Sequence, residues 1–468
     1  MKILANKRLL APLFAALLLA GCVSAPAIDP AALPAAPAAF KEGDGRWTQA
    51  APAEPQARGT WWKAFDDATL DGLVERAATA NHSVQIAAAR LAQARAFLRA
   101  ADADRLPQIG VGAGASRGTD AANGNRPATV VSAGASLAYE VDLFGRLQAA
   151  SRAAALDARS REALLQSTRL LVQADVAQTY LALRAVDEER RLVRDTVTAY
   201  RDTLNLIERR YSAGDVAELD VARVRTQVAA TESEALALDR RRAELEHALA
   251  VLVGAAASDF RVDAADWRSA LPVIPAGVPS AVLTRRPDVS AAQHAMLAAQ
   301  QRVGVAQAAW FPNLSLTANG GYASPELGDL FKWSARSWGV GALLSLPLFD
   351  GGRREAGVQN ASAELDAALA GYREQVLVAF RDVEDQLSAL RLLAEQADAQ
   401  SRAVAAASRA TVLSSSRYRN GLVSQIDLLD AQRSELANRR QALQVKAAQY
   451  QATVGLVRAL GGGWEAAI

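Results

Sequence analysis

The chain has 468 residues, with 52 Lys+Arg against 50 Asp+Glu and a net charge of +2. At 51% hydrophobic and 22% charged it is too apolar and too balanced for intrinsic disorder, and it carries no electrostatic footprint for nucleic acid. One Cys excludes a disulfide framework or a thiolate zinc cluster, and three separated His (His82, His247, His294) argue against an imidazole metal site.

The first 21 residues read as an export signal: a basic start (Lys2, Lys7, Arg8), a short apolar run Leu9 to Ala20, then small residues. The run ends in Leu19-Ala20-Gly21-Cys22, which looks like the bacterial lipobox, with Cys22 lipidated as the new N-terminus. An ordinary signal with a chance Cys is the alternative, and it leaves the single thiol unexplained. Val23 rather than Asp follows Cys22, which in enteric-type lipoproteins implies release to the outer membrane. Residues 22–60 are rich in Ala and Pro and read as a lipidated, extended tether. No later window is long and apolar enough for a spanning helix, so any bilayer crossing must use strands closed into a barrel.

From there the chain is written twice, over 61–280 and 281–464. Arg210-Tyr211 with Gly214 returns as Arg417-Tyr418 with Gly421 at an offset of 207 residues, and Gly254 returns as Gly461. Each half has the same order of helix, Pro, short strands, Phe-Gly corner, long helix, glycine turn and second long helix. Strands are expected at about 108–116, 132–141, 313–322 and 337–347. Helical hairpins are expected at about 147–254 and 354–461, in stretches rich in Ala, Leu, Arg, Glu and Gln. The first arm is a rod of roughly 95 Å at 1.5 Å per residue. Leucines at helical spacing with interleaved Ala suit coiled-coil-like hairpins, and their charges, Glu384-Asp385 among them, read as solvated faces.

The strands alternate. Ile109, Val111, Ala113 and Ala115 oppose Gly110, Gly112 and Gly114; Trp338, Val340, Ala342 and Leu344 oppose Gly339 and Gly341. Lipid on the apolar side and water on the small polar side is the outer-membrane barrel pattern; a soluble half-buried sheet also alternates. Trp310, Phe311, Phe144 and Phe349 are expected at one end of the strands, and Tyr322, Phe331, Trp333 and Trp338 at the other, as interfacial girdles. Four strands cannot close a barrel, and lipid-facing edges are not tolerated. Two copies would make 8 strands around a filled interior, whereas three make 12 and leave a channel. The fold class is thus mainly α with a small β part: a duplicated strand–long-helix-hairpin unit, three copies of which make a tube with 12 strands and six hairpins around one axis.

Four segments together, Tyr139-Glu140-Val141-Asp142-Leu143-Phe144-Gly145, Arg285-Arg286-Pro287-Asp288-Val289, Phe311-Pro312-Asn313-Leu314-Ser315-Leu316 and Leu346-Pro347-Leu348-Phe349-Asp350-Gly351-Gly352, resemble the TolC-like outer-membrane efflux factors. The closest likeness is to the lipoprotein (NodT-type) branch paired with resistance–nodulation–division pumps. The resemblance covers about Trp61 to Trp464. It implies a homotrimeric 12-stranded β-barrel continuous with a periplasmic α-helical barrel, a conduit in the outer membrane of a Gram-negative bacterium that passively conducts small molecules such as drugs, with a belt from Trp61–Thr79 and Ser258–Val282. Its implied partners are a periplasmic membrane-fusion adaptor, an inner-membrane pump and outer-membrane lipid, with no cofactor beyond the lipid on Cys22 and no nucleic acid.

The resemblance also implies site roles. The tips Gly214-Asp215-Val216 and Gly421-Leu422-Val423 would meet the adaptor. Ile426, Asp427 and Asp430 would narrow the pore, with Arg210, Tyr211, Arg417 and Tyr418 holding the closed end. Asp427 or Asp430 capping the return helix is the competing reading. Gly110-x-Gly112-x-Gly114 lies within a strand, Ser414-Ser415-Ser416 lacks a base, and His247 beside Glu244 and Glu246 reads as surface, so no enzyme site assembles. A periplasm-spanning coiled-coil lipoprotein and a protein-export channel of the same fold are the alternatives.

Overall fold

The computed structural model describes residues 26–29, 33–37, 39–43, 59–119, 126–274, 282 and 285–462; the export signal and Cys22 lie outside them. A short 3-10 turn, Trp61–Phe65, leads into α1 (Ala68–Ala80), α2 (His82–Ala103), β1 (Gln108–Thr119), β2 (Pro127–Val141), α3 (Arg146–Ser212) and α4 (Glu218–Leu252). The second half follows with α5 (Pro287–Ala308), β3 (Asn313–Ser324), β4 (Arg336–Ser345), α6 (Arg353–Arg419) and α7 (Gln425–Ala459). Both first arms are 67 residues long and both return arms 35, as duplication requires. Among the described residues no helix is long and apolar enough to cross a membrane.

The chain divides into two compact units. The first comprises residues 1–34, 90–162 and 291–374, and its described part carries one antiparallel sheet in the order β1-β2-β3-β4. The register aligns the apolar faces into continuous rows: Ile109 beside Leu137, Ala318 and Val340; Val111 beside Ala135, Gly320 and Trp338. The alternate rows hold Gly110, Ser136, Asn319 and Gly339, or Gly112, Gly134, Gly321 and Ser337. Two larger apolar residues fall on the small polar face: Leu343, in line with Ser315 and Glu140, and Val130, opposite Ser116. β2 begins at Pro127, earlier than expected, because its Thr129-Val130-Val131 run is β-branched and pairs with β1 out to Thr119.

Carboxylates start the long helices. Asp142 accepts the backbone N–H groups of Leu147 and Gln148 at 3.1 and 2.7 Å, and Asp350 those of Gly352 and Arg354 at 3.1 and 3.2 Å. Each satisfies N–H groups the first turn leaves free. Phe144 stacks on Phe311 at 4.8 Å, and Arg354 lies over Trp310 at 4.6 Å, whereas Phe349 is exposed. Tyr322 meets Phe331 edge-on at 5.7 Å, and Arg336 covers Trp333 at 4.0 Å.

The second unit comprises residues 35–89, 163–290 and 375–468, and within it the long arms pair as antiparallel hairpins. Arg201–Glu232 and Arg225–Glu208 link α3 to α4, and Ser408–Glu435 links α6 to α7. Between hairpins, Arg440 bridges Glu189 at 2.8 Å and Glu234 at 3.0 Å. Each return arm ends in a Schellman motif: Gly254 and Ala255 donate to Val251 and Ala250, and Gly461 and Gly462 to Arg458 and Val457. Glycine is required twice over at 254 and 461. Both have positive φ, and a Cβ would sit 2.5 Å from the Ala80 carbonyl oxygen or 2.8 Å from that of Arg285.

The duplication reaches single hydrogen bonds. Asn81 Nδ2 donates to the Leu252 carbonyl at 2.8 Å, and Arg286 Nη1 does the same to Ala459, 207 residues after Leu252, at 3.2 Å. Arg286 is buried and also pairs with Asp288 at 2.6 Å and Asp382 at 3.1 Å.

Not all helix charges are solvated. Asp187 is buried and binds Arg184, Arg190 and Arg242, while Arg184 and Arg242 donate to the carbonyls of Asp263 and Val262. These contacts hold the segment after α4, whose Trp267 packs on Tyr450 at 4.7 Å; Phe65 meets Tyr450 at 6.1 Å, and Trp61 and Trp62 are buried nearby in sequence. Asp67 caps α1 and also accepts from Tyr180 and Ser269. Glu384, read from sequence as part of a solvated face, instead accepts the backbone N–H groups of Lys41 and Glu42.

Candidate functional site

The hairpin ends carry the richest constellation. Arms α3 and α6 terminate in glycines with φ of 85° at Gly214 and 72° at Gly421, conformations that disfavour a Cβ. The turns are closed identically: Gly214 donates to Tyr211 and Asp215 to Arg210, and Gly421 donates to Tyr418 and Leu422 to Arg417. Two pairs of 5→2 and 6→1 bonds make both turns Schellman motifs. Asp215 and Leu422 stand exposed beyond them, Leu422 strongly so, with Val216 and Val423 half-buried.

The turns differ at the start of the return arms. Ser424 accepts from the Asp427 N–H, and Asp427 accepts from the Ser424 N–H at 3.0 Å, a complete capping box. Ala217 holds the matching place before α4 and offers no side-chain cap, although Asp220 stands at the matching third position. Hydrogen bonds from the Ser424 hydroxyl and N–H hold the Asp427 carboxyl below its ordinary value. Asp430, one turn on, is exposed and touches Arg433 at only 3.9 Å. Ile426 is exposed beside it.

The structure brings two of the expected residues together across hairpins. Arg210 Nη1 donates to the Tyr418 hydroxyl at 3.2 Å, with its guanidinium 5.9 Å from the ring centroid. Tyr418 packs on the cluster of Tyr200, Ile207, Val221, Val224, Val228 and Leu429, which joins α3, α4 and α7. Arg433 also reaches Gln227 across the hairpins. Tyr211 and Arg417 are exposed and have no side-chain partner among the described residues.

Sequence reasoning missed the layer behind these groups. Gln425 is 6% exposed, and among the described residues neither polar atom of its amide has a hydrogen-bond partner; the Tyr200 hydroxyl is likewise buried and without one among them. Burial pushes the Tyr200 hydroxyl's pKa up. A buried unpaired polar group costs about 1–3 kcal/mol. Nothing in the local pattern distinguishes Gln425 from an exposed helical Gln.

The sheet is the second constellation. Val111 is 88% exposed, Val340 77% and Trp338 76%, all on the apolar face. β1 and β4 have free edges within the described chain. Exposed apolar rows of this extent call for lipid, and free edges call for further strands. Among the described residues no group of His, Cys, Asp and Glu could hold a metal ion.

Comparison with known proteins adds a third line. The profile of a family described as outer membrane efflux protein matches residues 73–255 and 278–462, once per half. The chain is 34% identical to the pyoverdine export outer membrane protein OpmQ of Pseudomonas aeruginosa, over 96% of each chain. It is 33% identical to the toluene efflux pump outer membrane protein TtgI of Pseudomonas putida, over 97% of this chain and 98% of that one. Its structure is similar to that of the outer-membrane channel OprN, with a TM-score of 0.87 at 30% identity, covering 95% of this chain and all of the other.

Proposed function

The chain belongs to the outer membrane efflux protein family, and from that premise we propose that three copies close one 12-stranded barrel through which an inner-membrane pump expels small molecules. It is an outer-membrane efflux component of a Gram-negative bacterium, and it has the mixed α-helical and β-sheet fold of TolC-like channels. The observation that carries the trimer is the sheet: four strands with two free edges and a continuous lipid-ready face. Three copies supply 12 strands, the smallest multiple that leaves an open lumen rather than a filled one.

Energy for export comes from the pump, so the conduit needs neither catalysis nor a cofactor. The inner-membrane partner is a resistance–nodulation–division transporter, reached through a periplasmic adaptor at Gly214-Asp215-Val216 and Gly421-Leu422-Val423. Cys22 carries the acyl anchor, palmitate among its chains. OpmQ is named for pyoverdine and TtgI for toluene; here the exported class is likewise small molecules.

The gate is assigned to Ile426 and Asp430, whose side chains are exposed, with Arg210–Tyr418 as its latch. Asp427 contributes through the cap, its carboxylate being engaged by Ser424. The unpaired Gln425 amide and Tyr200 hydroxyl behind them make a layer that rearrangement relieves. Threefold symmetry turns Asp430 into a ring of three carboxylates, which favours cations. Asp430→Ala in planar bilayers is expected to raise single-channel conductance and reduce cation selectivity. Unchanged current and reversal potential would remove Asp430 from the gate.

A further inference from the structure

We infer that Glu384 and Arg391 of α6 form a docking site for the chain's own segment Phe40–Gly43, which straps the second hairpin as residues 261–263 strap the first. The contacts are specific. Glu384 Oε1 accepts the Lys41 N–H at 2.7 Å and its Oε2 accepts the Glu42 N–H at 2.9 Å, so one carboxylate grips two successive peptide groups. Arg391 Nη2 binds the Glu42 carboxylate at 2.7 Å. That hydrogen bond holds the Glu42 carboxyl below its ordinary value. Phe40 is 3% exposed, although the segment around it is an Ala- and Pro-rich stretch that composition alone marks as a free tether.

The duplication supplies an independent argument. Arg391 stands 207 residues after Arg184, at the same place in α6 that Arg184 occupies in α3. Arg184 donates to the Asp263 carbonyl at 2.8 Å, and Glu246 accepts the Val262 N–H at 2.7 Å. Each hairpin therefore holds a crossing segment through arginine and a carboxylate that accepts the segment's backbone N–H: Arg184 and Arg242 with Glu246 on the first, Arg391 with Glu384 on the second, the arginines 184 and 391 being the matched pair. On the first hairpin that segment follows α4 directly. On the second it comes from the far N-terminal side of the sequence, which is why no local pattern announces it.

Charge-assisted hydrogen bonds to a carboxylate are about twice as strong as neutral ones, and the carboxylate has two here. The docked segment also limits reach: the 18 residue steps from Cys22 to Phe40 span at most about 60–65 Å when fully extended. That corollary rests on the proposed anchor at Cys22; the docking itself does not.

Limited trypsin digestion of the purified full-length protein tests the site, because the Lys41 side chain is 88% exposed and only a clamped backbone shields the Lys41–Glu42 bond. Cleavage after Lys41, followed by mass spectrometry, is expected to be slow in the wild type. It should accelerate about tenfold or more in Glu384→Ala and Arg391→Ala, since cleavage tracks the population of the released form. Glu384→Gln, with one oxygen serving two N–H groups, should fall between. Cleavage elsewhere and the heat-modifiable oligomer on gels report whether each variant folds, and Phe40→Ala provides a release that leaves α6 intact. The Cys22→Ser chain should show the same ratios, separating the docking from the lipid reading. Equal rates after Lys41 in the wild type, Glu384→Ala and Phe40→Ala would overturn the inference.

Discussion

Replacing Arg286 with Asn transplants the first half's solution into the second and isolates one electrostatic quantity. Asn81 already makes the equivalent bond to the end of its return arm, so Asn at 286 keeps a donor for the Ala459 carbonyl. It removes the cation between Asp288 and Asp382, which stand 2.6 and 3.1 Å from the guanidinium. Burial alone would lower the Arg286 pKa, yet the two carboxylates outweigh it and hold the group above its ordinary value. Breaking a fully buried pair by removing one partner costs about 3–5 kcal/mol; the Asp288 and Asp382 side chains keep 25% and 22% exposure, so water takes up part of their charge and the loss here is about 1–3 kcal/mol. Helix loss at 222 nm in detergent, at one fixed scan rate, should therefore occur several degrees lower. Adding Asp288→Asn and Asp382→Asn should restore part of the loss, since it removes the two carboxylate charges that the first change leaves without their cation. A single variant that melts with the wild type, or a triple variant no better than the single, refutes the reasoning.

Other outcomes follow from the turns and the sheet. Ser424→Ala should destabilise the first turn of α7 by about 1 kcal/mol, read as faster hydrogen exchange there, and Ala217→Ser should slow exchange at the start of α4. Because the folded Asp427 pKa lies below its unfolded value, its contribution is present above the unfolded value of about 3.9 and is lost as pH falls through the folded one. Exchange protection of that turn should drop at the acid end, and in Asp427→Asn this drop should be absent. Val111→Lys, on the apolar rows, should cost about 2–4 kcal/mol and deplete the outer-membrane oligomer, whereas Ser136→Lys, on the small polar rows, should be tolerated. Equal depletion by both would mean that the faces are assigned wrongly.

Much of this fold is legible because its signals are long. A 67-residue arm with few breakers announces itself, as do glycines that recur at a fixed offset. The strands could be read by period two because one face meets lipid, so Val111 and Trp338 alternate with glycine and serine. Leu343 breaks that rule on the small polar face, and the alternation alone did not single it out. What remained hidden depends on contacts between residues distant in sequence. Asp187 and its three arginines are buried, yet in the sequence they look like any charged helix face. Glu384 looked solvated because its partners, Lys41 and Glu42, lie more than 340 positions away. Asp427 could be read as a gate from the resemblance or as a cap from its place at the start of the return arm; the reciprocal bonds with Ser424 separate it from exposed Asp430.

The proposed trimer makes one chain's open sheet a third of a barrel. Native mass spectrometry of the protein released from detergent measures this directly, and the account predicts three chains per particle, with single chains appearing only after heat dissociation. A stable particle of one or two chains that still conducts ions across a bilayer would contradict it.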